Sequence, residues 1–106
     1  MVIDREKKRL EFHEILRNIL RSDQVYFQAP KNIHITYPAI IYTRGREEIV
    51  YADDGRYLTR NRYIVTVIDE DPMSELFDKI ADLPYCSHDR FYVADNLNHD
   101  VFNIFY

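Results

Sequence analysis

Arg62-Tyr63-Ile64-Val65-Thr66-Val67-Ile68-Asp69 is the densest β-branched run in the chain, and neither Gly nor Pro interrupts it. Side chains alternate across a strand, so Tyr63, Val65 and Val67 share one side, and Ile64, Thr66 and Ile68 the other. With both sides largely apolar, the run reads as an inner strand of a sheet rather than an edge strand. Glu70 to Glu75 ends the strand and starts a helix, for which Asp71 is a suitable cap and Pro72 a suitable first residue. That helix is expected over residues 72–83, with Leu76, Phe77, Ile80 and Leu83 buried, Met73 behind them and Pro84 as its stop.

Upstream, residues 5–21 read as an amphipathic helix. Phe12, Leu16, Ile19 and Leu20 form its apolar stripe, with Ile15 beside it and Leu10 and His13 toward one margin. Asp4 is its candidate cap, and Lys7–Glu11 and Glu14–Arg17 are candidate surface pairs. A short strand is expected at 25–28, a turn at Ala29-Pro30-Lys31-Asn32, and a strand at 39–43, with Tyr37 extended before Pro38. Arg44-Gly45-Arg46 and Asp53-Asp54-Gly55 read as turns around a less regular stretch at 47–51. Residues 56–61 either extend the central strand or form a projecting loop. Beyond the second helix, strands at 90–94 and 99–105 are joined through Asp95-Asn96-Leu97-Asn98. The chain is thus expected to be a single α+β domain, residues 1–106. Its architecture is a mainly antiparallel, four- or five-stranded sheet packed against two helices.

Fourteen basic and 18 acidic side chains leave a net charge of −4, which disfavours a generic nucleic-acid binder. The charge is unevenly spread: residues 1–21 carry +2 and residues 69–100 carry −7. Such polarity suits a molecule that packs head to tail with copies of itself, or simply an acidic, solvated surface. Cys86 is the single cysteine, so no internal disulfide can form. No apolar run reaches membrane-spanning length and no secretory leader is visible, so a cytoplasmic chain with no membrane partner is expected.

Arg44, Arg46, Arg56, Arg60 and Arg62 are interleaved with Tyr42, Tyr51, Tyr57 and Tyr63. Arginine with tyrosine is common at protein interfaces and also suits single-stranded nucleic acid. Glu47, Glu48, Asp53 and Asp54 weaken the nucleic-acid reading. Arg44, Arg46, Tyr51, Asp53, Asp54, Arg56, Tyr57 and Arg60 are therefore the first candidates for contact with a neighbouring protein. Asp95, Asn96 and Asn98 are the second group, as hydrogen-bonding side chains on a connection.

Cys86-Ser87-His88-Asp89 contains the residue types of a thiol nucleophile and its base, and Cys86, His88 and His99 those of a metal cluster. Neither carries a recognisable signature, so Cys86 is expected to be a structural cysteine beside a helix end. Asp69-Glu70-Asp71 could hold a cation, but a strand end followed by a helix cap accounts for it more simply. His13 and His34 have no partner pattern, and Gly45 and Gly55 cannot build a phosphate-cradling loop. No catalytic, metal or cofactor residue is assigned, and the chain is not expected to be an enzyme.

Several strings resemble those of small proteins from the morphogenesis modules of tailed phages and prophages of Gram-positive bacteria. They are Val25-Tyr26-Phe27-Gln28-Ala29-Pro30, Tyr37-Pro38-Ala39-Ile40-Ile41-Tyr42, Asn61 through Asp69, Asp71-Pro72, and Asp95-Asn96-Leu97-Asn98-His99-Asp100-Val101-Phe102. They resemble the tail-completion or minor capsid proteins, and the resemblance covers most of the chain from about Leu16. It implies a sheet-plus-helix fold and self-association into a ring, with six-fold (hexameric) symmetry, at the head–tail junction or the top of the tail tube. It further implies contacts with tail-tube and connector (head-closure) proteins, and DNA passing through a lumen without specific binding. The expected location is the host cytoplasm during assembly and then the virion head–tail junction. Two alternatives remain: a nucleic-acid or regulatory module using Arg44, Arg46, Arg56 and Arg60, and a metal-dependent hydrolase using Asp69, Asp71, His88 and His99.

Overall fold

The computed structural model describes residues 5–29, 33–45, 48–52 and 55–106; residues 48–52 and 55–60 are described by backbone alone. Asp4, Arg46, Asp53, Asp54 and most of the Ala29–Asn32 turn lie outside the described residues, as do the side chains of Tyr51, Arg56, Tyr57 and Arg60.

The elements in chain order are α1 (Arg5–Leu20), β1 (Val25–Phe27), β2 (Ala39–Arg44), β3 (Glu48–Ala52), β4 (Gly55–Arg60), β5 (Arg62–Asp69), α2 (Glu75–Ala81), β6 (Cys86–Ala94) and β7 (Leu97–Phe105). The fold is mixed α+β. Its five-stranded sheet, in the order β1-β2-β5-β7-β6, is mainly antiparallel and packs against both helices. β5 occupies the middle, antiparallel to β2 on one side and β7 on the other. Its residues divide between the two sides as expected: Tyr63, Val65 and Val67 are buried on one, while on the other Ile64 and Thr66 are half-buried and Ile68 is buried. β1 runs parallel to β2.

The helix-side core joins Phe12, Leu16 and Leu20 of α1, Leu76 and Ile80 of α2, and Ile40, Tyr42, Val65, Phe102 and Ile104 of the sheet. Phe12 is its aromatic centre. It stacks on Tyr63 at 4.7 Å and 11° and meets the edge of Tyr42 at 5.6 Å. Tyr42 and Tyr63 therefore belong to the core rather than to a contact surface. At the α1 margin Leu10 is exposed, whereas His13 is half-buried.

β3 and β4 form a second, two-stranded sheet. They leave the main sheet after β2 and return to it at β5, so residues 56–60 are one arm of a ribbon, whereas Asn61 exchanges backbone hydrogen bonds with Tyr106 and does extend the main sheet. The molecule measures 50 × 23 × 23 Å.

Three expected boundaries are corrected. α2 starts at Glu75, capped by the Ser74 hydroxyl, which accepts from Leu76 N at 3.2 Å. The preceding acids instead fold the loop: Asp69 Oδ1 accepts from Asp71 N at 3.0 Å, and Asp71 Oδ1 accepts from Met73 N at 2.9 Å. Asp71 is thus not the helix cap, and Met73 is 86% exposed rather than behind the buried face. β6 begins at Cys86, not Arg90. The half-buried Cys86 sits at this strand start, packed against the core, with its thiol pushed up by burial. The connection between β6 and β7 is only Asp95-Asn96; Leu97 and Asn98 already pair with Ala94 and Val93. Both turn residues have left-handed backbones, φ 53° and 63°, a conformation that Asn and Asp adopt more readily than other non-glycine residues.

Candidate functional site

The strand directions give the sheet two chemically different ends. β2 finishes and β5 starts at the ribbon end, where Arg44 and Arg62 are register neighbours of Tyr63 and Phe105. The start of α1 lies there too. Arg5, Glu6, Arg9 and Arg44 surround Phe27, Asn61 and Tyr63 in a cleft of about 320 Å³. The Arg9 guanidinium lies 4.5 Å from the Phe27 ring centroid, a cation–π contact. Arg62 is held by Asn103, whose Oδ1 accepts from Nη2 at 2.7 Å and Nε at 3.1 Å.

The far end carries Asp69, Glu70, Asp71, Asp95 and Asn96. Asn98 ties the sheet together here, donating through Nδ2 to the Asp69 and Glu70 carbonyls at 3.1 and 3.2 Å. Its amide thus holds the fold, whereas Asp95 and Asn96 are exposed.

Between these ends runs β6, an edge strand nine residues long. Every residue from Ser87 to Val93 is exposed, and Phe91-Tyr92-Val93 is an uncharged, apolar run on the rim. Beside it, Pro72, Met73, Ser74, Phe77, Asp78, Phe91 and Asp100 line a groove of about 460 Å³ between α2 and the strand. Its lining combines the apolar Pro72, Met73, Phe77 and Phe91 with the carboxylates of Asp78 and Asp100. Asp100 Oδ1 is 3.1 Å from His88 Nε2, and the His88 ring rests on Phe77 and Phe102 at 5.1 and 5.2 Å. An edge strand presents unpaired backbone N–H and C=O groups. The chemistry offered is therefore main-chain hydrogen bonding flanked by apolar and acidic side chains, which fits a peptide segment carrying basic residues.

The pairing of strands separates the residues of the hydrolase alternative. His88 lies opposite Phe102 on the helix-covered side of the sheet. His99 lies on the other side, opposite Tyr92, whose ring stacks on it at 4.6 Å. Asp69 and Asp71 are engaged with loop amides. Among the described residues no group of three His, Cys, Asp or Glu side chains is placed to hold a metal ion. Of the arginines in the nucleic-acid alternative, Arg44 alone has a described side chain. No helix among the described residues is long and apolar enough to cross a membrane.

One polar cluster had no signal in the sequence. His13 Nδ1 is 2.7 Å from the hydroxyl of Tyr42, which also accepts from Arg9 Nη1 at 3.4 Å. Burial, and then the charges of Arg9 and Arg17, push His13 below the usual imidazole range, while Glu14 acts the other way. Burial pushes the phenols of Tyr42 and Tyr63 above their ordinary value. The edge strand was only half legible, because β6 changes register between His88 and Arg90. A bulge there breaks the alternation on which a strand is recognised.

In comparison with known proteins, the chain matches no family model, no curated protein and no solved structure.

Proposed function

We propose that this chain is a structural virion assembly protein, acting at a phage head–tail junction or at the top of a tail tube through ring-forming contacts between copies. The observation that carries self-assembly is the open β6 edge on a 50 Å body whose two ends differ in charge. Unlike surfaces at two places on one chain suit head-to-tail contacts, which close into rings when the rotation allows. The junction itself is supported by the resemblance of the strings from Val25 to Pro30, Tyr37 to Tyr42, Asn61 to Asp69 and Asp95 to Phe102. In such a ring the acidic segment 69–100 facing a lumen would let DNA pass without being held. Tight DNA binding by the assembled ring at physiological salt would contradict that part of the reading.

The test is mass by light scattering after gel filtration, from micromolar to near-millimolar protein, followed by pull-down against tail-tube and connector proteins. Growth toward one closed oligomer, or capture of either partner, is the expected outcome. A strict monomer that captures neither would overturn the proposal.

A further inference from the structure

Resting on the self-assembly reading, we infer that the β6 edge accepts the β3–β4 ribbon of a second copy of this chain as added strands. Two features of the backbone point to this pairing. The first half of the β6 edge is bent by its bulge and charged at Asp89 and Arg90, but the exposed Phe91-Tyr92-Val93 run beyond it is the kind of edge that proteins normally cover, bend or charge. The β3–β4 ribbon has the complementary deficit. It is a two-stranded sheet with open outer edges, and two strands alone are marginal in water without a third strand or a packed face.

Charge selects which strand of the ribbon pairs, since β3 carries the acidic Glu48. The β4 sequence Gly-Arg-Tyr-Leu-Thr-Arg holds two basic residues and no acidic one. Around the β6 edge stand Asp78 and Asp100 at the groove and Asp95 at the strand's end, while Asp89 and Arg90 within the strand pair with each other at 3.8 Å. Beyond the bulge, the regular stretch Arg90–Ala94 is long enough to pair most of β4. Each copy roots its ribbon at β2 and β5, with β7 standing between β5 and β6. The ribbon that fills the edge therefore comes from a neighbour. Because the two surfaces differ, an open row of copies keeps one free surface of each kind, at its two ends, until the assembly closes.

Val93→Lys tests the edge. Val93 is 60% exposed, so the monomer keeps its fold, to be checked by circular dichroism, while an added strand would have to bury the new charge. The wild-type chain is expected to grow in mass with concentration, and Val93→Lys to stay at the 12.8 kDa of one chain. An R56E/R60E double variant should also fail to assemble alone. Mixed with Val93→Lys it should give heterodimers and nothing larger, since each partner supplies one intact surface. Amide exchange at Phe91–Val93 should slow as wild-type protein is concentrated. Val93→Lys that assembles like wild type would overturn the inference and leave self-assembly through another surface. A wild-type monomer with concentration-independent exchange at β6 would also overturn it, and the junction reading would then stand or fall on partner capture.

Discussion

His13 and Tyr42 lie far apart in the chain and touch at 2.7 Å. No spacing rule links a helix residue to a distant strand residue, so their pairing could not be read from the sequence, although the burial of each element could. Their chemistry has a direct consequence for pH. The folded state holds His13 below its ordinary value, so between the two pKa values the unfolded chain binds more protons. Stability is therefore complete above about pH 6.5, the unfolded value, and is lost as pH falls through the lowered folded value. Thermal melting should occur at a lower temperature near pH 5 than near pH 7.5, with His13 contributing to the slope. His13→Gln keeps an acceptor for the Tyr42 hydroxyl but does not titrate, so its melting should depend less on pH across this range. An unchanged slope would assign the effect to other groups. At the start of α2, Ser74→Ala should cost about 1 kcal/mol, the usual worth of a helix cap, read as a lower urea midpoint at unchanged slope. The same change tests the correction of the cap, since Asp71→Ala would carry the cost if Asp71 capped the helix.

At the level of elements, legibility followed the regularity of the pattern. Arg62–Asp69 appears in the structure with the bounds that its residues dictate, and the one competing local bond in it, made by Asp69, falls on its last residue. α1 differs from expectation by one residue at its end. α2 is shorter at its start than expected because Asp69 and Asp71 bond to amides two residues ahead, the habit that makes Asp favour turns over helix interiors. β6 was shortened by its bulge: Cys86 and His88 lie on the helix side, Arg90 on the other, and Phe91 returns to the helix side. The two-residue turn after it depends on left-handed backbone at Asp95 and Asn96. Asn96→Val should destabilise the chain by about 1–2 kcal/mol, since a β-branched residue fits that conformation poorly. Equilibrium unfolding would show it, and a change near zero would mean that the turn relaxes to another type. For the candidate contact surface, arginine and tyrosine composition drew attention to 42–63, but composition cannot separate core from surface. Tyr42 and Tyr63 proved to be core; the edge at Phe91–Val93 went unnoticed because exposure of an apolar run depends on what lies beside it.

For the whole molecule, basic groups near the ribbon and acids at the other end make self-association sensitive to salt. The screening length falls from about 10 Å at 0.1 M to about 3 Å at 1 M. Raising salt over that range should weaken assembly by slowing encounter and reducing attraction, measured as a shift of the mass–concentration curve to higher protein. A curve that does not move would mean that main-chain pairing and apolar contact carry the association without help from charge. The place of β5 in the sheet also sets a timetable for synthesis. Its partner β2 is made before it, but β7, its other neighbour, ends with Phe105. At about 5–20 residues per second, the 36 residues from Asp69 to Phe105 take the ribosome about 2–7 s. Throughout that interval the most β-branched strand of the newborn chain has one side without its mate. A nascent chain halted after Ala94 should therefore recruit a holding chaperone or precipitate, whereas release after Phe105 lets the strand close.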